Sequence, residues 1–104
     1  MVRLEIIWTQ FAGSELKDIY QYYKQNVSIN VAQKIKKRIL VSVKQLHNHP
    51  QIGQIEENLT GSAYEYRYLV ESNYKIIYRY DNKTIYIIDV FDCRRNPQEM
   101  KSSI

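Results

Sequence analysis

A single cysteine, Cys93, excludes an internal disulfide, so the chain must hold together by packing alone. A lone thiol also suits a reducing compartment better than secretion. No apolar run approaches a membrane span. The N-terminal stretch Leu4-Glu5-Ile6-Ile7-Trp8 carries Glu5 and is too short even for the core of a signal peptide. These absences point to a soluble, cytoplasmic protein without membrane association. Three glycines and two prolines leave no flexible linker, and there is no repeat or low-complexity segment. Residues 1–104 therefore read as a single α+β domain, with a short C-terminal tail from about residue 97. Metal chemistry is also poorly provided for. His47 and His49 have metal-compatible spacing but no cysteine or carboxylate cluster beside them, so a role at a helix C-terminus is expected instead. No metal or cofactor is expected.

Tyrosine and positive charge are abundant. Ten tyrosines supply large apolar bodies with polar tips, suited to half-buried sheet faces and contact surfaces. The net charge of +4 and pI near 9.2 favour an anionic partner, either nucleic acid or an acidic protein segment.

Hydrophobic periodicity orders the elements. Val2 to Trp8 is a strand candidate. Thr9 can cap a helix in which Ala12, Leu16, Ile19, Tyr20 and Tyr23 recur at helical spacing as far as Asn26. Ser28 can cap a second helix, with an apolar stripe of Ala32, Ile35, Ile39, Val43 and Leu46 running to about His47. Its opposite face carries Lys34, Lys36, Lys37, Arg38 and Lys44, with no acid between them. The very short connection implies an antiparallel helical hairpin. Pro50 and Gly53 end the helical region. Three strand candidates follow, Tyr64–Val70, Tyr74–Tyr80 and Thr84–Phe91, separated by hairpin-length gaps.

The expected fold is β-α-α-β-β-β, a helical hairpin packed on one face of a small, mainly antiparallel four-stranded sheet. Alternation assigns Tyr74, Ile76, Tyr78, Tyr86, Ile88 and Val90 to the face beneath the helices. Arg67, Lys75, Arg79 and Asp89 would then share an open face, with Ile77, Ile87 and Phe91 leaving apolar surface among the charges.

The strand ending in Trp8, the two helices, Pro50 and Gly53 resemble the RelE/ParE family of toxins from type II toxin–antitoxin systems, which includes plasmid stabilisation proteins. The resemblance is tighter in Arg67-Tyr68-Leu69, in Tyr74-Lys75-Ile76-Ile77-Tyr78-Arg79-Tyr80, and in Ile88-Asp89-Val90-Phe91-Asp92-Cys93-Arg94-Arg95-Asn96-Pro97. It implies a toxin encoded beside a cognate antitoxin that wraps and neutralises it in a hetero-oligomer. Two targets are implied, and the chain resembles the ParE-like branch more closely. ParE-like members poison DNA gyrase, and RelE-like members cut messenger RNA on the ribosome. An inactive member that only binds a partner is a third reading.

An endoribonuclease must activate a ribose hydroxyl and stabilise a pentavalent phosphate with placed cations. Arg67, Lys75, Arg79 and Arg95 are the candidates, and Lys75 stands where the resemblance implies a sheet arginine on the scissile phosphate. The family's usual C-terminal histidine or tyrosine is missing, since neither residue type follows Tyr86, and Cys93 falls where another catalytic arginine is implied. Glu99 is the only acid in the final tail and the remaining candidate base. Cys93 itself reads as a half-buried bystander at a strand end. The ParE-like reading needs only contacts, for which Arg67, Lys75, Arg79, Arg94 and Arg95 are the candidates. An antitoxin would meet Tyr20, Tyr22, Tyr23 and Phe91, with Tyr22 the more exposed of the three helix tyrosines.

Overall fold

The computed structural model describes residues 3–103, so Val2 of the expected first strand lies outside the described residues. The elements follow in the order β1 (Glu5–Trp8), α1 (Gln10–Asn26), α2 (Ile29–Lys44), β2 (Gln54–Ile55), β3 (Arg67–Glu71), β4 (Tyr74–Tyr80) and β5 (Thr84–Asp92). Short 3-10 turns fill the connections, and a last one spans Pro97–Ser103.

Both helices begin where a side-chain oxygen satisfies a free backbone amide. Thr9 Oγ1 accepts from the Ala12 amide at 3.1 Å, and Ser28 Oγ accepts from the Val31 amide at 3.1 Å. The Thr9 hydroxyl also donates to the Ile87 carbonyl at 3.0 Å, which fixes the start of α1 against β5. At the far end of the hairpin, the Leu4 amide donates to the His47 carbonyl (2.9 Å), and the His47 ring lies 2.6 Å from the Leu4 carbonyl through Nδ1. His47 thus ties the end of the helical region to the strand beside it.

The sheet has five strands in the order β1-β5-β4-β3-β2, with β1 parallel to β5 and every other pair antiparallel. The fifth strand is the two-residue β2, too short to show an alternation in sequence.

Two register features redistribute the faces expected from alternation. The turn at Ser72-Asn73, with Ser72 at φ 56°, pairs Glu71 with Tyr74, so Arg67 lies opposite Tyr78. Directly opposed residues share a face, which puts Arg67 on the helix side, away from Lys75 and Arg79. In β5 the partner of Ile77 is Asp89 and that of Tyr78 is Ile87, so Ile88 is an extra residue in the ladder. A bulge reverses the alternation. Ile85, Ile87 and Val90 therefore face the helices, whereas Tyr86 and Ile88 face away, contrary to the simple period-two reading.

The sheet is covered on both sides. Beneath the helices, Ala12, Leu16, Ile39, Val43 and Leu46 pack on Tyr74, Ile76, Tyr78, Ile85 and Ile87. The opposite face, expected to be open, carries a second cluster of Leu59, Tyr66, Ile77, Ile88, Phe91 and Met100. Leu59 comes from the turn after β2 and Met100 from the C-terminal turn, so the segment after residue 97 folds back on the sheet.

Candidate functional site

The five cations expected to meet a target fall into three places. Arg67 braces the β2 approach from the helix side: its Nη1 donates to the carbonyls of Gly53 (2.8 Å) and Gln51 (3.2 Å), and its Nη2 pairs with Glu65 at 3.2 Å. The same loop is held by Tyr78, whose hydroxyl donates to the Pro50 carbonyl (2.6 Å) and accepts from the Gly53 amide (2.9 Å). Burial raises the Tyr78 phenol above its ordinary range, so it stays a neutral donor.

Lys75 and Arg79 share the outer face but have different surroundings. Lys75 Nζ lies 3.0 Å from Glu56 Oε2, and over the Tyr68 ring at 4.3 Å from its centroid. Glu56 is 2% exposed, and its other oxygen accepts from the Asn58 amide and side chain. Sequence patterning missed Glu56, because nothing in its irregular segment marks a carboxylate for burial. Arg79 is sandwiched between Tyr64 and Tyr86, with its guanidinium carbon 4.0 and 4.2 Å from the ring centroids. It has no carboxylate within 4 Å among the described residues.

Arg94 and Arg95 follow β5 and stand beside α1. Arg94 grips Asp92 with two charge-assisted bonds, Nε to Oδ1 (2.9 Å) and Nη2 to Oδ2 (2.7 Å). That pairing lowers the Asp92 pKa and raises that of Arg94. Arg95 binds Glu99 at 2.9 and 2.6 Å, lies 3.8 Å from Glu15 and covers the Phe91 ring at 5.0 Å. Glu99, the candidate base of the tail, is thereby engaged as a structural partner of Arg95. Burial is the main cause that raises the Glu15 pKa, with Arg95 opposing it and Asp18 adding to it.

The expected antitoxin contacts are scattered too. Tyr20 lines a groove on one side of α1, while Tyr22 is 58% exposed on the other side, beside Arg94 and Arg95. Tyr23 is half-buried, with its hydroxyl 3.2 Å from that of Tyr74. Phe91 is 1% exposed in the outer cluster, so no partner can reach it while the C-terminal turn is in place. This corrects the expectation that Phe91 is apolar surface, and the bulge together with Met100 is the reason. Cys93 is exposed rather than half-buried, just beyond β5. No cluster of three or more potential metal ligands occurs among the described residues, and no described helix is long and apolar enough to cross a membrane.

Sequence reasoning did find the main concentration of charge. Lys34, Lys36, Lys37, Arg38 and Lys44 are all exposed along α2. None has a carboxylate within 4 Å among the described residues, whereas Arg67, Lys75, Arg94 and Arg95 all do. Beside α2 and the outer edge of β1 lies a groove of about 580 Å³, with Ile6, Trp8, Leu40 and Val41 among its walls and Lys36, Lys37 and Lys44 around it.

Comparison with known proteins places this geometry. Residues 6–97 match the family model described as the ParE toxin of the type II toxin–antitoxin system parDE. Among solved structures, the chain resembles the chromosomal ParDE toxin–antitoxin system from P. aeruginosa at 22% identity and a TM-score of 0.72, covering 86% of this chain and 96% of that one. The YoeB dimer from Staphylococcus aureus is similar at 21% identity and a TM-score of 0.55, covering 86% and 95%. No curated protein matches at a significant level.

Proposed function

Because the chain belongs to the ParE toxin family of type II toxin–antitoxin systems, we propose that it inhibits DNA gyrase by holding the enzyme on cleaved DNA. The carrying observation is the family match over residues 6–97. The side-chain chemistry supports it. A ribonuclease needs cations free to follow charge as it develops on phosphate. Here Arg67, Lys75 and Arg95 of the candidate catalytic set are held by carboxylates, and Glu99 by Arg95. A toxin that acts by contact needs no such set. Arg94 (64% exposed), the exposed Arg95 and the Arg79 stack are the contacts this reading assigns to the target.

Membership also gives the chain a cognate antitoxin as partner. The groove between α2 and β1 suits an amphipathic acidic segment: apolar side chains would bury against Ile6, Trp8 and Leu40, and carboxylates would meet Lys36, Lys37 and Lys44. Tyr20, with Lys36 5.4 Å above its ring, completes this wall.

One observation favours a ribosome-dependent endoribonuclease instead. Among the described residues Arg79 has no carboxylate within 4 Å, and it sits among tyrosines on the outer face, where a base could stack and a phosphate could pair. Purified chain, tested in parallel on gyrase with supercoiled DNA and on programmed ribosomes with messenger RNA, separates the two readings. Inactivity in both assays, without growth arrest on expression, leaves a partner-binding member alone.

A further inference from the structure

The solvent side of α2 carries a second feature that neither target nor antitoxin groove uses. Lys34, Arg38, Ser42 and Gln45 follow at i, i+4, i+8 and i+11, and all four line one shallow groove of about 630 Å³. At 1.5 Å per residue this row is about 16 Å long. The two cations are exposed and have no carboxylate within 4 Å among the described residues. Ser42 and Gln45 add neutral donors in line with them. Arginine, lysine, serine and glutamine are the side chains that contact phosphate and sugar in nucleic-acid complexes.

We propose that this row binds the phosphodiester backbone of a nucleic-acid duplex without regard to sequence. At this length it can reach about two or three successive phosphates of one strand, the number that its salt dependence should report. Glu71 stands on the far wall of the groove and repels phosphate, so the backbone lies along α2 and does not cross onto β3. The two grooves share Lys37 and Val41, but Ile6, Trp8 and Leu40 line only the other one, which seats the apolar side of an acidic protein segment there and leaves this more polar row to phosphate. The net charge of +4 has the sign for it, and α2 is where that charge is least compensated by neighbouring carboxylates.

The test is fluorescence anisotropy with labelled 20-base-pair DNA and RNA duplexes, titrated with purified chain between 50 and 200 mM salt. Binding of at least one duplex in the micromolar range is expected, with a log–log salt slope of about −2 to −3. Lys34→Glu/Arg38→Glu should weaken it at least about tenfold and flatten the slope. Lys17→Glu/Lys24→Glu on α1 makes the same change in net charge and should weaken it far less. The neutral pair Lys34→Gln/Arg38→Gln, with a thermal melt for each variant, separates lost contacts from lost fold. Equal weakening by both charge-reversal variants, or unchanged duplex binding in Lys34→Glu/Arg38→Glu, overturns the proposal. So does loss of poly-glutamate binding in that variant with duplex binding intact, which would assign the row to an acidic protein.

Discussion

Lys75 on β4 neutralises Glu56, a carboxylate 2% exposed in the loop before β3, at 3.0 Å. Both charges are largely withdrawn from water, so each depends on the other more than a surface pair would. Lys75→Met should lower unfolding free energy by about 2–4 kcal/mol, because it strands Glu56 without its cation. Lys75→Met/Glu56→Gln should recover most of that loss. Urea denaturation of the three proteins measures both. A near-neutral Lys75→Met would instead make Lys75 a free surface cation available to a target.

Gly53 has no space for a side chain. A Cβ there would fall within 2.9 Å of the Tyr68 carbonyl and closer still to the Tyr78 ring and hydroxyl. Gly53→Ala should therefore cost about 1–3 kcal/mol by overpacking and disturb the bond from its amide to Tyr78. Tyr78→Phe leaves the Gly53 amide and the Pro50 carbonyl without their shared partner and should cost about 1–3 kcal/mol. A thermal melt of each variant checks these values.

Acid should affect two carboxylates in opposite senses. Burial raises the Glu15 pKa above 4.5, so the folded chain holds that proton more tightly than the unfolded one. Its contribution therefore becomes more favourable as pH falls from above the raised value toward 4.5. Glu15→Gln should be neutral to stabilising at pH 7 and should remove that part of the pH dependence. Asp92 is held below 3.8 by Arg94, so its contribution is present above that value and lost as pH falls through the lowered one. Asp92→Asn should flatten the acid limb. Urea midpoints measured from pH 3 to pH 7 distinguish the two effects.

The antitoxin groove makes a kinetic prediction. Lys36→Glu/Lys44→Glu should slow association with the cognate antitoxin about tenfold or more at low salt, and the difference should shrink as salt rises. Stopped-flow mixing with the antitoxin measures this. Association unchanged at low salt would remove α2 from the interface.

The helices were legible in the sequence because their signals are local. Thr9 and Ser28 cap them as expected, and apolar spacing marked the buried stripes. The sheet was legible only up to its irregularities. One extra residue at Ile88 moved Ile87 under the helices and Tyr86 away from them, and alternation carries no trace of such a bulge. The candidate site was less legible. Arg67, Lys75, Arg94 and Arg95 read as candidate target contacts; Glu65, Asp92 and Glu99, which pair with three of them, lie within four residues in sequence, whereas Glu56 reaches Lys75 only through the fold. The charge on α2 was readable because no acid interrupts it, and among the described residues folding brings no carboxylate within 4 Å of it.

Gyrase poisoning is tested most directly by incubating purified chain with gyrase, ATP and supercoiled plasmid, then releasing trapped breaks with detergent and protease. Inhibition through cleaved DNA predicts linear plasmid that accumulates with toxin, requires gyrase, and disappears when the antitoxin is added first. Absence of linear DNA under these conditions, together with cuts inside ribosome-bound codons, would contradict it.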